Sequence, residues 1–444
     1  MITLGCAKNE VDSEYMLADL LREGLEPVDD LSTAEAVVIN TCAFIEPARE
    51  EAVETILEAA GLKETGACRV LAVVGCMAQR YREELAESLP EVDLFIGVGE
   101  EQRSLPRKLR QSLGLAAAAP CDLPSSPRIV ETTSQGWAYL KISEGCNNRC
   151  SYCAIPLIRG SLASRSAESI VQEAQFLEAQ GAKELVLIAQ DVTAWGLDSA
   201  NKSGGITGLL EKLLAGTSVP WIRLLYTHPA HLDESLLTLI GTESRVVSYL
   251  DMPVQHASDR VLKGMGRGVT GQLLLEKIEL ARKLIDSPVL RTTVMVGFPG
   301  ESKRDFEKLL EFIAAVRFDR LGAFAYSVEE GTAAAARRDS VSQREKQRRL
   351  EEVMELQREI SAELNEAWVG RTVPVLVERP VDEDESPGEQ YAWAGRSRAH
   401  APDVDGQVFI ADSASTVDSI SPGRIIQVKI TASDDYDLFG ELAR

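Results

Sequence analysis

Short apolar runs alternate with helical stretches along most of this chain, and that alternation leaves few folds open. Near the start, Ile2–Leu4, Val37–Asn40, Val70–Gly75 and Leu94–Val98 read as strands, with Ser13–Arg22, Pro47–Ala60 and Arg80–Ser88 as helices between them. Apolar strands joined by helical crossovers make a parallel sheet, here α/β and doubly wound. A second α/β series begins near Gly136. Its strands are Ala138–Ser143, Leu185–Gln190, Ile222–Tyr226, Val247–Leu250, Arg291–Val296 and Leu321–Tyr326, separated by helices such as Ala167–Gln180, Leu273–Ile285 and Phe306–Val316. Six such units suit a partial (β/α)6 barrel. Ser342–Trp368 closes the series as a docked helix, because Leu350, Val353, Leu356, Ile360, Leu364 and Trp368 share one apolar face. Beyond Arg371, TVPVLVE, QVFIA and GRIIQVKI alternate with Gly, Pro and Asp turns and read as a small antiparallel β-barrel. The expected domains are 1–114, a linker over 115–131, a core over 132–368 and a tail over 369–444.

Open sheets and parallel barrels gather ligands at the C-terminal ends of their strands. Six of the eight cysteines fall there. Cys146, Cys150 and Cys153 follow the first barrel strand with the spacing C-x3-C-x2-C. One loop of that kind supplies three thiolates to a four-iron cubane and leaves one iron open. An open iron can chelate the amino and carboxylate groups of S-adenosylmethionine, and a transferred electron then releases a 5′-deoxyadenosyl radical. Structural zinc wants four ligands in paired Cys units, and no second pair or nearby His completes one. Cys6, Cys42 and Cys76 follow the first three strands of the N-terminal sheet. Each alone reads as a buried structural cysteine. Together on one sheet edge they read as a second cluster site with an open iron. Cys68 lies at the opposite edge and Cys121 in the linker, so neither is expected to bind metal.

Weaker signals surround the barrel triad. Tyr152 reads either as a neighbour of the adenine or as a core aromatic. Gln190 and Asp191, at a strand end, could hydrogen-bond a ribose or cap a loop. Gly297 and Gly300, in GFPGE, allow close backbone approach to the methionine or ribose. His228 and His256 follow barrel strands and read as polar residues of the barrel mouth. There is no Ser/His/Asp set, and radical hydrogen abstraction does not require one.

The chain has no run of eighteen apolar residues and no basic and apolar leader, so neither a membrane span nor a secretion signal is expected. A reducing cytoplasm follows, where eight cysteines are better explained by metal than by disulfides. The net charge is −22, which works against a phosphate backbone. From Arg371 to Arg444 there are seven Lys/Arg and fourteen Asp/Glu, a net of −7. Such a tail suits a basic protein better than tRNA.

LGCAKNEVDSE, NTCAFIEPAREE, VVGCMAQRY, SEGCNNRCSYCAIPLIRG, YLDMPVQHASDRVLKGMGR and RTTVMVGFPGES resemble the methylthiotransferases of the radical S-adenosylmethionine (SAM) type. The resemblance spans essentially the whole chain: a three-cysteine domain, a radical-SAM barrel and a TRAM barrel. GCAKNEVDSE, YLDMPVQHAS and AYSVEEGT are similar to the branch that modifies an aspartate of small-subunit ribosomal protein twelve. The tRNA branch usually has Gly-Cys-Gln-Met-Asn at the first of these. Ser327-Val328 departs from the usual Ser-Pro. The resemblance implies two 4Fe-4S clusters, SAM, and replacement of C–H by C–SCH3 on the aspartate β-carbon. It implies as partners that basic ribosomal protein, free or in the subunit, and an electron donor such as flavodoxin or ferredoxin. The alternatives are a tRNA adenosine methylthiotransferase and a non-catalytic iron–sulfur carrier; SAM cleavage under reducing conditions separates the carrier from both enzymes.

Overall fold

Four parallel strands, β1 (Ile2–Thr3), β2 (Ala36–Thr41), β3 (Val70–Gly75) and β4 (Leu94–Ile96), pair in chain order in the computed structural model. The structure describes all residues except 117–127, 200–203, 339, 383–384, 386, 389, 412–419 and 444. Every residue of β3 is buried, which is why VLAVVG is an unbroken apolar run: helices cover both faces of the sheet. On one face α2 (Glu46–Thr65) and α3 (Cys76–Ser88) bring Ala52, Ile56 and Met77 against Val37, Ile39, Leu71 and Val73. On the other, α1 (Ala7–Arg22) and α4 (Leu105–Leu113) bring Met16, Leu20 and Leu109 against Val38, Ala72 and Val74. α1 starts at Ala7 rather than Ser13, because the carbonyl of extended Cys6 already accepts from the Asn9 and Glu10 amides.

The barrel strands β5 (Trp137–Lys141), β8 (Glu184–Ile188) and β9 (Trp221–Leu224) pair in parallel, as do β10 (Tyr249–Asp251), β11 (Val289–Val296) and β12 (Arg320–Ala325). A bridge between Ile222 and Val246 joins the two sets. A two-strand ladder, β6 (Ser143–Glu144) with β7 (Ala163–Ser164), follows β5, with α5 (Ile155–Arg159) between its strands. The outer ring is α6 (Ala167–Ala179), α7 (Gly205–Gly216), α8 (Glu234–Thr242), α9 (Asp259–Met265), α10 (Gly271–Leu284), α11 (Lys303–Val316) and α12 (Gln343–Glu366). Ser166, Asp233, Thr270, Ser302 and Ser342 cap five of these helices through side-chain oxygens. Strand residues alternate between two cores, as a period of two requires. Leu140, Leu187 and Leu224 pack with the ring helices. Tyr139, Ile188, Trp221 and Tyr249 turn to the interior.

The tail strands β13 (Thr372–Pro380), β14 (Tyr391–Ser397), β15 (Val408–Ala411), β16 (Ile425–Ser433) and β17 (Leu438–Leu442) close into a barrel in the order β13-β14-β15-β17-β16. The antiparallel expectation needs one correction: β15 and β17 run parallel. β16 and β17 are antiparallel neighbours, and closing the barrel through β17 sets it beside β15 in the same direction. The segment after β14 enters the interior at the strand starts, where Ala399 and Ala401 join Trp137, Trp221 and Tyr249. Glu184, fully buried at the start of β8, pairs with Arg223 Nε at 2.6 Å and Arg396 Nη1 at 2.8 Å. Burial pushes that carboxyl up, but the two guanidiniums outweigh it and hold it below the usual carboxylate range. The Tyr139 hydroxyl donates to Asp403 at 2.7 Å, and Tyr249 donates to Asp405. A chain ending at Trp368 should therefore lose core stability as well as its tail. We expect a melting temperature well below that of the full chain, or insolubility; a truncated barrel that melts unchanged would contradict this packing.

One acidic cluster gives stability a pH dependence. Burial first, then Asp403 and Glu14, push the Glu10 carboxyl up to about 7. Burial likewise lifts Glu14 to about 7, although Arg128 opposes it. Both values lie above the ordinary glutamate value of 4.5, so the folded state holds protons that the unfolded state releases. The resulting stabilisation is full below that value and is lost as pH rises through about 7. Melting temperature should fall between pH of about 5 and about 8, and Glu10→Gln should flatten that slope. An identical slope in the variant would assign the effect elsewhere.

Candidate functional site

Both cysteine triads stand just past C-terminal strand ends. Cys6 caps α1 beyond β1, Cys42 follows β2, and Cys76 opens α3 directly after β3. A Cβ on Gly5 would lie 2.7 Å from Cys42 Cβ and 3.1 Å from its sulfur, so the two segments pass this closely because residue 5 has no side chain. Asn9 ties the edge together: its Nδ2 donates to Leu4 O at 2.9 Å and Thr41 O at 3.1 Å. The three thiols feel one another's charge. Burial first, with Cys42 and Cys6 adding to it, pushes Cys76 up to about 11 against the opposing Arg159. Burial and Cys6 also raise Cys42. Burial would raise Cys6 too, but Lys8 and Arg159 outweigh it and hold that thiol below its ordinary value.

The β6–β7 ladder closes the base of the loop that carries Cys146, Cys150 and Cys153. Gly145, at φ +67, is needed there, since a Cβ would sit 2.2 Å from Ser161 O. The Cys146 amide donates to Gly160 O at 3.1 Å, and the Ser151 amide donates to Met265 O at 2.8 Å. Arg267 Nη1 lies 3.6 Å from Cys150 Sγ. Burial, reinforced by Cys150 and Cys146, pushes Cys153 up to about 12. Three thiols gathered at one strand end offer sulfur, the donor that iron–sulfur clusters take. Each triad thus fits a cluster by its chemistry. Among the described residues, only Asp191, His228 and His231 bring three donor atoms within 4.8 Å of one another, as ligands of a single ion would.

The other sequence candidates gather round the barrel triad. Asp191, 3% exposed, accepts from Asn148 Nδ2 in the cysteine loop at 2.8 Å, accepts from Thr193, and pairs with His231 Nδ1 at 2.8 Å. Gln190 is half-buried beside it. Tyr152 packs against a cluster formed by Val261, Met265, Phe298 and Tyr326. Gly297, at φ +75, has a reason to be glycine within the protein: a Cβ would lie 2.4 Å from Lys346 Cγ of α12. Gly300 O accepts from Arg260 Nη2 at 2.6 Å. His228 is buried in the mouth, while His256 Nδ1 accepts from the Ala257 and Ser258 amides.

The chain is 43% identical to "Ribosomal protein uS12 methylthiotransferase RimO" of Syntrophotalea carbinolica, over 100% of this chain and 96% of that protein. It is 45% identical to the protein of the same name from Desulforudis audaxviator, over 99% and 95%. The chain belongs to the RimO methylthiotransferase family. Three family models match this RimO-family chain in order: Uncharacterized protein family UPF0004 over residues 1–97, the Radical SAM superfamily over 140–313, and the TRAM domain over 369–443. Two solved structures share its fold. The radical S-adenosylmethionine methyltransferase TsrM from Kitasatospora setae has a TM-score of 0.55 at 16% identity, covering 73% of this chain and 74% of that one. The cobalamin-dependent enzyme OxsB has a TM-score of 0.51 at 14% identity, covering 80% and 55%.

Residues that join the modules of this RimO-family chain were not read from the sequence. Arg159, six positions beyond Cys153, reaches across to the other triad. Its Nη2 donates to Asn9 Oδ1 at 2.6 Å, and its Nη1 pairs with Asp12 at 3.0 Å and Glu144 at 2.9 Å. Lys141 joins the same two carboxylates. On the far side, buried Glu329 takes Arg80 at 2.9 Å and Arg49 at 2.7 Å. It lies in the loop of the unusual Ser327-Val328 pair, which thus belongs to a clamp between the modules. Cys68 is buried, with its Sγ 3.6 Å from Val70 O at the start of β3. Cys121 lies outside the described residues.

Proposed function

We propose that this chain adds a methylthio group to the β-carbon of an aspartate in ribosomal protein uS12. The observation that carries the reading is Arg159. It follows the barrel triad in sequence, yet its Nη2 donates at 2.6 Å to Asn9 Oδ1, which lies 3.7 Å from Cys76 Sγ, and this supports a site shared by the two triads. In this reading Cys146, Cys150 and Cys153 hold one 4Fe-4S cluster and Cys6, Cys42 and Cys76 a second. So loaded, the site supplies a reducing electron, a SAM-derived radical and an iron that binds sulfur. The protein's task is to hold and orient. SAM lies across the barrel strand ends, against Tyr152, Gln190, Asp191 and the turn from Gly297 to Gly300. A flavodoxin- or ferredoxin-like donor brings electrons, and the work is done in the cytoplasm.

The support for a protein substrate is the activity for which the relatives are named and the GCAKNE form of the first triad. The tail's net charge supports it less than its arithmetic suggests. Asp403 and Asp405 hold tyrosines of the barrel, Glu378 pairs with Arg396, and Asp435 pairs with Arg358. Asp437 accepts from the Gln407 amide. The acidic turn at 382–385 lies partly outside the described residues. Reconstituted enzyme should place the methylthio mass on uS12 and leave tRNA unmodified. Modified tRNA with unmodified uS12 would replace this reading with the tRNA branch. An enzyme that binds iron but cannot cleave SAM under reducing conditions would reduce it to a carrier.

A further inference from the structure

Lys8 is buried at 6% exposure two residues beyond Cys6, and several of the other buried basic side chains have acidic partners. Lys141 and Arg159 share Asp12 and Glu144. Arg291 has Asp251, and Arg128 has Glu14 and Glu173. Among the described residues no carboxylate pairs with Lys8 and no hydrogen bond reaches its Nζ. Its Nζ lies 3.3 Å from the centroid of the Tyr226 ring. An aromatic face offsets only part of the cost of removing an ammonium from water. A buried cation left in that state is suited to an anion that arrives from outside.

The place of Lys8 says which anion. Its charge acts on the Cys6 thiol, so it sits beside the first triad. Tyr226, at φ +64, stands past the end of β9. The Tyr226 carbonyl accepts from the Val192 amide at 3.1 Å, next to Asp191, which holds the cysteine loop through Asn148. Lys8 therefore joins the segment of the first triad to the strand end that meets the cysteine loop, which is where the functional reading sets the reacting carbon. We propose that Lys8 binds the side-chain carboxylate of the target residue and so selects an acidic substrate side chain. The inference rests on the functional reading above. A nucleobase offers no such charge, and a cation buried at the reaction point discriminates between a carboxylate and its neutral isostere.

The test crosses two enzymes with two substrates. Holoenzyme, wild type or Lys8→Met, is given uS12 or its variant with the target aspartate changed to asparagine. The readout is the ratio of kcat/KM for the two substrates within each enzyme, so incomplete cluster loading cancels. We expect wild type to favour the aspartate by about tenfold or more, mostly through KM, and Lys8→Met to bring the ratio close to one. Lys8→Arg should restore a preference for the aspartate. A ratio that is the same in wild type and Lys8→Met, or a wild type indifferent to the substrate charge, overturns the inference while leaving the functional reading standing. That outcome would leave Lys8 as a counter-charge for the thiolates alone. A wild-type enzyme that leaves the aspartate substrate untouched overturns the functional reading, and this inference with it.

Discussion

Replacing Cys146, Cys150 and Cys153 together with alanine should abolish reductive cleavage of SAM and lower the iron content from roughly eight to roughly four per chain. Replacing Cys6, Cys42 and Cys76 should remove the same amount of iron, leave SAM cleavage detectable and stop methylthio transfer. The physical basis is that each set belongs to its own module, with its own strand ends and its own backbone support. Iron assay and quantitation of 5′-deoxyadenosine after anaerobic reconstitution check both statements. Changing Cys68 and Cys121 to serine supplies the control, with iron and product unchanged. If the first-sheet variant loses SAM cleavage while iron stays bound in the barrel, the two sites do not have separate roles.

Arg159→Met should cost about 3–5 kcal/mol of unfolding free energy, the range for breaking a buried ion pair from one side. The variant leaves Asp12 and Glu144 with Lys141 alone and removes the donor that holds Asn9 at the cysteine edge. Urea unfolding measures the stability. Coupling gives the functional readout: methylthio product per 5′-deoxyadenosine should fall several-fold, because SAM cleavage needs only the barrel triad. Arg159→Lys should recover part of both. Unchanged stability and unchanged coupling in Arg159→Met would show that the modules are held in register by other contacts, the Glu329 clamp first among them.

The strands and the cysteines were legible because their signals are local. VLAVVG shows a strand covered on both faces in six letters, and C-x3-C-x2-C shows three thiols carried on one loop in eight. The scattered triad was legible because strand ends can be counted along the chain. What joins the modules was not, since Arg159 and Asn9 are 150 residues apart and Arg80 and Glu329 are 249 apart. No periodicity or spacing reports a pair at that separation. The tail shows the opposite failure. Its net charge is plain in the sequence, but counting charges does not reveal that Asp403, Asp405 and Glu378 are engaged at the seam with the barrel or within the tail. Gly297 is a third case. The residue type told of a close approach, and only the fold shows that the approaching group is the stem of Lys346.

The segment beneath the barrel also bears on how such enzymes can be recombined. A tail grafted from a relative would have to bring the small residues at 399 and 401, the acids that meet Tyr139 and Tyr249, and a guanidinium in place of Arg396. Lacking the last of these, Glu184 would keep Arg223 as its ion-pair partner and lose the one supplied by the tail. Barrel and tail therefore behave as one heritable unit, and a functional chimera would have to carry the two together.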